Sequence, residues 1–307
     1  MRGRLWLNLG LAIIVAALAA VAVLEPGKAP PPPEIRLTTL DAQSVKRIEF
    51  HPPRGEGFAL VRDGKDWFIE QPRLRAQPFR VETLLELPGA VSAAQLTLAD
   101  NKDNAFGVDP PQARIVFDHT EIAFGLTNPV GLRRYVRVDD AVHLIDDRFF
   151  HHAASKWTDW VDRRLLPEGV TLTRLELPDI TLARADSGWQ LSPQRPAIGA
   201  DAITELVDEW QRAYAMDVEQ AEAPADAKPI RLEWNGGALE LALARDGDEW
   251  LLYRRDAPVR YRFSDNQGQR LLALQEPAPK PEPAPGTAAP APPPADPDAA
   301  PDHAGHD

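Results

Sequence analysis

The apolar residues of this chain trace the same order of elements twice. Residues 45–145 and 172–263 each read as strands, then a helix, then more strands. Near the middle of each copy, counterparts lie about 122 residues apart, a spacing that marks two related modules rather than a solenoid of short repeats. Phe58, Leu60, Arg62, Trp67 and Ile69 thereby fall on Ile180, Leu182, Arg184, Trp189 and Leu191. Later strands match at about 117 residues. Ile115 and Phe117 fall on Leu232 and Trp234, and Ile122, Phe124 and Leu126 fall on Leu239, Leu241 and Leu243. Val142 and Leu144 fall on Val259 and Tyr261.

Within each copy the apolar positions alternate in short runs, as on a sheet with one buried face. Ile48 and Phe50, and then Phe58 and Leu60, point inward in the first copy; Asp63-Gly64-Lys65-Asp66 supplies turn chemistry before the Trp67–Glu70 strand. Val81, Leu84 and Leu85 recur at helical spacing over Arg80–Leu87, and Pro88-Gly89 ends that helix. Ile203, Leu206 and Val207 repeat the stripe on a longer helix from Asp201 to about Ala213. A further amphipathic stretch closes each copy, Asp147–Trp160 in the first and Asn266–Leu274 in the second. The expected fold is α+β: two tandem β-rich modules, each an antiparallel sheet with one or two helices, behind one N-terminal transmembrane helix. Trp67 and Trp189, both just after a turn, are expected to pack in the cores.

Leu5–Leu24 forms one apolar run in which Asn8 is the only strongly polar residue. Twenty helical residues span about 30 Å, the thickness of a bilayer core. Arg2 and Arg4 precede the run and no basic cluster follows it, so residues 1–4 are expected in the cytoplasm and the rest outside. A cleaved signal peptide, with Ala20-Val21-Ala22 as its cleavage box, is the alternative. Residues 25–39 form a proline-rich linker of semi-rigid, extended character. The two modules are expected over 40–165 and 166–275, and a Pro/Ala/acidic tail over 276–307 cannot repay the entropy of ordering. The formal net charge is −12, and the tail contributes six acids against Lys280. Nothing in the body suggests a phosphate-binding face, so nucleic acid is not expected as a partner. The chain has no cysteine, which removes disulfide scaffolds, thiolate metal sites, cysteine nucleophiles and a lipoprotein anchor.

One set of short motifs stands out in the first copy. Asp66-Trp67-Phe68-Ile69 leads to Pro72 and the Val81–Leu87 helix. Ala105-Phe106-Gly107-Val108-Asp109-Pro110-Pro111 follows, then Ile122-Ala123-Phe124-Gly125, Arg134-Tyr135-Val136-Arg137 and Val142-His143-Leu144-Ile145. In these motifs the chain resembles a bacterial family of domains of unknown function numbered 4340. The resemblance implies a one-pass protein of the bacterial inner membrane that faces the periplasm, in the company of ABC-type exporters, with no assigned reaction. The second copy departs from the pattern: it has only Lys228-Pro229 in place of the Phe-Gly and Pro-Pro pairs, and Leu252-Tyr253-Arg254-Arg255 in place of the Arg-Tyr-Val-Arg string.

No motif for catalysis stands out. His151-His152 follows Asp146-Asp147, but adjacent helical histidines diverge by about 100°, so a solvated helix end is the expectation rather than a metal site. His303 and His306, with Asp302 and Asp307, are at most a weak ion collector on flexible chain. Ser155 and Ser192 lack a nucleophile-elbow setting, and Asp139-Asp140 reads as a turn. There is no Walker loop and no dinucleotide fingerprint. No cofactor is expected. The candidate interaction surface is Arg133, Arg134, Tyr135 and Arg137, with Arg133, Tyr135 and Arg137 on one strand face and Arg134 and Val136 on the other. Salt bridging to nearby acids is the plainer use of these arginines. Phe106 is expected to be buried, with Gly107 free to take positive φ. The leading expectation is a non-enzymatic, membrane-anchored periplasmic module that binds an envelope complex such as an ABC-type exporter. The alternatives are a binding protein for a glycan or other small envelope ligand in a groove between the modules and, last, a hydrolase.

Overall fold

A computed structural model describes residues 2–24 and 34–274. The linker through Pro33 and the tail from Glu276, with His303 and His306, lie outside the described residues. Helix α1 (Arg2–Leu24) is 23 residues long. Its side chains are described without a break from Leu9 to Ala20, and all of them are exposed. Among the described residues no helix is long and apolar enough to cross a membrane. The rest of the chain divides into two compact units, broadly before and after Arg163, with Asp217–Ala221 and Ala257–Val259 grouped with the first. Both are β-rich, with antiparallel pairing throughout and few helices, an α+β architecture.

In the first unit, chain order runs β1 (Ile35–Arg36), β2 (Arg47–His51), β3 (Phe58–Asp63), β4 (Asp66–Ile69), β5 (Leu74–Arg75), α2 (Pro78–Leu85), β6 (Val91–Ser92) and β7 (Gln95–Thr97). Then come β8 (Ala113–Phe117), β9 (Thr120–Asn128), β10 (Arg133–Val138), β11 (Ala141–Asp146) and the one-turn helix α3 (Phe150–Ala153). Nine of these strands form one sheet in the order β5-β4-β3-β2-β8-β9-β10-β11-β7, and β1 pairs with β6 beside it. Tight hairpins set the register. Asp63 pairs with Asp66, Phe117 with Thr120 and Val138 with Ala141. Asp118 and Asp139 take positive φ in the second and third of these turns, a conformation that Asp tolerates better than most residues. Pro78 opens α2 with φ already set for a helix, and the helix buries Val81 and Leu84.

In the second unit, β12 (Leu172–Leu177), β13 (Ile180–Ala185), β14 (Gly188–Ser192) and α4 (Ala200–Gln211) come first. The short β15 (Asp217–Gln220) is grouped with the first unit. Then follow β16 (Lys228–Trp234), β17 (Gly237–Asp246), β18 (Glu249–Arg254), β19 (Val259–Ser264) and α5 (Asp265–Leu272). These strands lie in the order β14-β13-β12-β16-β17-β18-β19. That repeats β4-β3-β2-β8-β9-β10-β11 of the first unit strand for strand, with a helix after the outer hairpin in both. The alternating apolar positions line each core: Ile48, Phe50, Leu60 and Ile115 in one, Leu175, Leu182, Leu232 and Leu241 in the other.

One local expectation is refined and two need correction. The amphipathic Asp147–Trp160 stretch closes the first unit as three short pieces and not as a continuous helix: a 3-10 turn, α3 and a second 3-10 turn at Trp157–Trp160. Trp160 is the reason, because its fully buried ring tilts against Phe50 and its indole N–H donates to the Ser155 hydroxyl at 2.8 Å, which bends the chain into the core. Trp67 is buried as expected, but Trp189 is only half-buried. Its neighbourhood lacks a counterpart of β5, which pairs with the outer edge of β4 in the first unit. His152, expected at a solvated helix end, is buried beside Trp160, whereas His151 is exposed.

Trp210 anchors α4 in the same way, fully buried with its indole N–H donating to the Leu271 carbonyl at 2.6 Å. Trp210→Ala is expected to cost about 3–5 kcal/mol. Trp210→Phe keeps much of the ring but leaves that carbonyl without its partner, for about 1–3 kcal/mol. Urea denaturation followed by circular dichroism measures both, and a Trp210→Phe variant as stable as the parent would contradict a role for the hydrogen bond.

Candidate interaction surface

The Arg-Tyr-Val-Arg string forms β10, and the alternation of the strand separates its side chains as expected. Arg133, Tyr135 and Arg137 lie on the more exposed face, whereas Val136 is buried. Arg134 shares the inner face and is only 6% exposed, so it is not a surface residue. It is a buried cation with each part of its fork in use. Nε donates to Asp147, Nη1 to the Gly125 carbonyl and to Gln112 at 2.9 Å, and Nη2 to the Thr127 hydroxyl at 2.8 Å. The guanidinium also lies 3.5 Å from the centre of the Phe150 ring. A planar five-donor group suits such a site, where a lysine could not reach all the acceptors.

The other motif residues meet at the same place. A shift in the β9–β10 register between Arg134 and Val136 leaves room for the Phe106-Gly107-Val108 loop to lie on β9. The Leu126 N–H donates to the Phe106 carbonyl at 2.8 Å. A Cβ on Gly125 would sit 2.2 Å from that same carbonyl oxygen, so no side chain fits there. Gly107 has φ +64, as expected, and a Cβ on it would meet Leu126 at 2.6 Å. Phe106 is half-buried rather than buried, and its ring stacks on Tyr135 at 4.6 Å. Asn128 donates to the Tyr135 hydroxyl at 2.9 Å. The separated motifs thus form one assembly, held from within by Arg134 and faced outside by Phe106 and Tyr135.

Beyond that face the β9–β10 hairpin carries two large apolar side chains into solvent, Val130 at 80% exposed and Leu132 at 75%. Arg133 beside them is exposed, and its side chain has no ion pair or hydrogen bond among the described residues. Arg137 is held by Glu121 at 3.3 Å, the plainer use expected for these arginines. The apolar tip was not singled out in the sequence, although Val130-Gly131-Leu132 between two strands is its visible signal. Arg134 falls on Leu251 at the spacing of about 117 residues and on Leu252 when the two strings are matched, and both leucines are buried in β18. The second unit fills that place with an apolar side chain.

Among the described residues no three His, Asp or Glu side chains gather to hold a metal. Ser155 is buried, donates to the His152 carbonyl at 2.7 Å and accepts from Trp160, so its hydroxyl is part of the core. Burial lowers the pKa of His152 to about 4, with further contributions from Arg80, His151 and Arg148.

A profile described as "Domain of unknown function (DUF4340)" matches residues 67–233, more than half of the chain. No curated protein and no solved structure matches.

Two predictions follow from this geometry. Arg134→Met is expected to destabilise the first unit by about 3 kcal/mol, because acceptors arranged around one cation lose it. Asp147→Asn combined with Arg134→Met is expected to cost less than the sum of the separate losses, as a double-mutant cycle in urea would show. Because the folded pKa of His152 lies below its ordinary value, the unfolded chain binds the extra proton more readily. The stability this adds is whole above about pH 6.5 and is lost as pH falls toward 4, by up to about 3 kcal/mol. His152→Phe is expected to flatten the pH dependence of the urea midpoint across that window, and an unchanged slope would refute the assignment. With these features the chain belongs to the DUF4340 family.

Proposed function

We propose that this protein is a non-enzymatic interaction module, held at the bacterial inner membrane by Leu5–Leu24 and presenting both units to the periplasm. Its partner in this reading is an envelope complex, with an ABC-type exporter as the class that the family resemblance suggests. The observation that carries the reading is the hairpin tip. Two large apolar side chains at the end of a rigid strand pair, beside an unpaired arginine, have no use in the unit's own core. An apolar centre with an arginine at its margin is the usual make-up of a protein-binding hot spot. Arg134 and the two glycines fix the strand beneath it, so the tip meets a partner with little ordering to offset.

Support for the anchor is of the same kind. The continuous described stretch of α1 turns Leu9, Leu11, Ile13, Ile14, Val15 and Leu18 outward, all well exposed. Exposed apolar surface costs about 25 cal/mol per Å² in water, and a lipid phase removes that cost. Asn8 aside, the sequence continues the apolar run to Leu24, the length that spans a bilayer.

Two measurements test the reading. A C-terminal alkaline phosphatase fusion is expected to be active and a C-terminal green fluorescent protein fusion dark; the reverse pattern would place the units in the cytosol. A photocrosslinking residue at Leu132 in the full chain is expected to capture a membrane transport component in cells. Arg133→Glu is expected to lower that capture at least tenfold without changing the far-ultraviolet circular dichroism of the purified protein. Capture that is absent, or unchanged by the charge reversal, would remove the tip from the interaction.

A further inference from the structure

The duplicated sheet treats one edge in two ways. In the first unit β5 closes the outer edge of β4: Phe68 pairs with Arg75 and Ile69 with Leu74, and the Ala76 N–H donates to the Trp67 carbonyl at 2.8 Å. In the second unit β14 is the last strand of its sheet, with no strand on its outer side among the described residues. An unpaired strand edge is a template for another extended segment. A groove of about 830 Å³ opens beside this one. Its floor extends from Gln190 and Ser192 of β14 over Thr181 and Ala183 of β13 to Arg174 of β12, and Trp189 and Leu191, on the other face of β14, complete its lining at the edge.

The chemistry of the groove is selective. Its lining includes Arg174 and Arg195 and no carboxylate. The Arg174 Nε already donates to Glu176 at 2.6 Å, but the Arg195 side chain has no partner among the described residues. Trp189 offers the edge of an aromatic surface, and Pro196 and Ile198 continue it. Such a groove fits an extended segment that carries proline rings for the apolar wall and carboxylates for the arginines. A second copy of the same edge would set arginine against arginine, which disfavours pairing between chains.

This chain contains a segment of that chemistry. From Pro277 to Pro285 every second residue is proline, and Glu276, Glu282, Asp296 and Asp298 are spaced through the same region. The segment also begins in the right place. Leu272, Ala273 and Leu274 line a second depression whose wall includes Arg195, the residue shared with the groove. In extended form ten residues past Leu274 reach about 30 Å, enough to follow β14 from end to end. Tethering raises the effective concentration of such a segment to about the millimolar range, so weak contacts suffice. We propose that the open edge of β14 is a docking groove for the proline-rich, acidic C-terminal segment of this same chain, residues 275–307, with Arg195 as its carboxylate partner.

The absence of cysteine makes the test clean. Gln190→Cys and Ala284→Cys are introduced together into the full chain in detergent and oxidised mildly, and disulfide formation is followed by non-reducing electrophoresis. Asp246→Cys with Ala284→Cys, whose first position is also exposed and lies in the same unit, is the control. The groove pair is expected to close within one chain at least tenfold faster than the control pair. Arg195→Glu is expected to bring it to the control rate, and 0.5 M sodium chloride to slow it severalfold. Equal rates for the two pairs, a rate unaffected by Arg195→Glu, or disulfides that form only between chains would each overturn the proposal. If the groove variant misfolds, Ser192→Cys replaces Gln190→Cys at the neighbouring exposed position, read by the same outcomes.

Discussion

A sheet edge must be closed, covered or left to water, and the way each copy meets that requirement shapes the rest of this molecule. The two sheets share the order of seven strands, so their central ladders satisfy the backbone in the same way. They part at the rim. The first copy spends the residues between its outer hairpin and its helix on β5, and Trp67 is sealed beneath it. The second copy spends the equivalent residues on a loop around Pro193–Gly199, and Trp189 stays half-open. One difference in connection thus separates a core tryptophan from a groove tryptophan at matched positions.

The interior of the first copy shows a second divergence. Arg134 is surrounded by acceptors from β9, from Gln112 and from Asp147, and one of them is the carbonyl of Gly125, on which the Phe106-Gly107 loop rests. Leu251 and Leu252 fill the corresponding place in the second copy with buried apolar side chains. Isolated buried charge is expensive, and an apolar replacement is often no less stable. What Arg134 adds is position: a strand held at five donors cannot slide, and the face carrying Arg133 and Tyr135 is held with it.

Much of this was legible in the sequence where local pattern decides structure. Alternation placed Ile48, Phe50, Leu175 and Leu182 in the cores, turn residues located the hairpins, and helical spacing located α2 and α4. Alternation also separated Arg134 from Arg133 and Tyr135, but charge argued for solvent on both sides. Asp147, thirteen positions along the chain, supplies the counter-charge and Gly125, Gln112 and Thr127 the other acceptors that make the inner side habitable, and spacing does not reveal such partners. Trp189 misled for the opposite reason. Its own residues repeat those around Trp67, and the strand that would have covered it is absent from a different part of the sequence. The Asp147–Trp160 stretch has helical apolar spacing, yet Trp160 reaches its place beside Phe50 only if the helix stops early.

The shared strand order has a practical meaning for the family boundary. The stretch that the family profile matches opens at Trp67, inside β4, and closes at Glu233, inside β16. In space β2 and β3 lie between β4 and β8, so a fragment cut at those limits would lack the middle of its first sheet. It would also lose β17, β18 and β19, the ladder against which β16 completes the second. The matched stretch of this chain is therefore not a piece that stands alone, and a shortened gene product must begin before Arg47 and run past Leu272 to keep both halves whole.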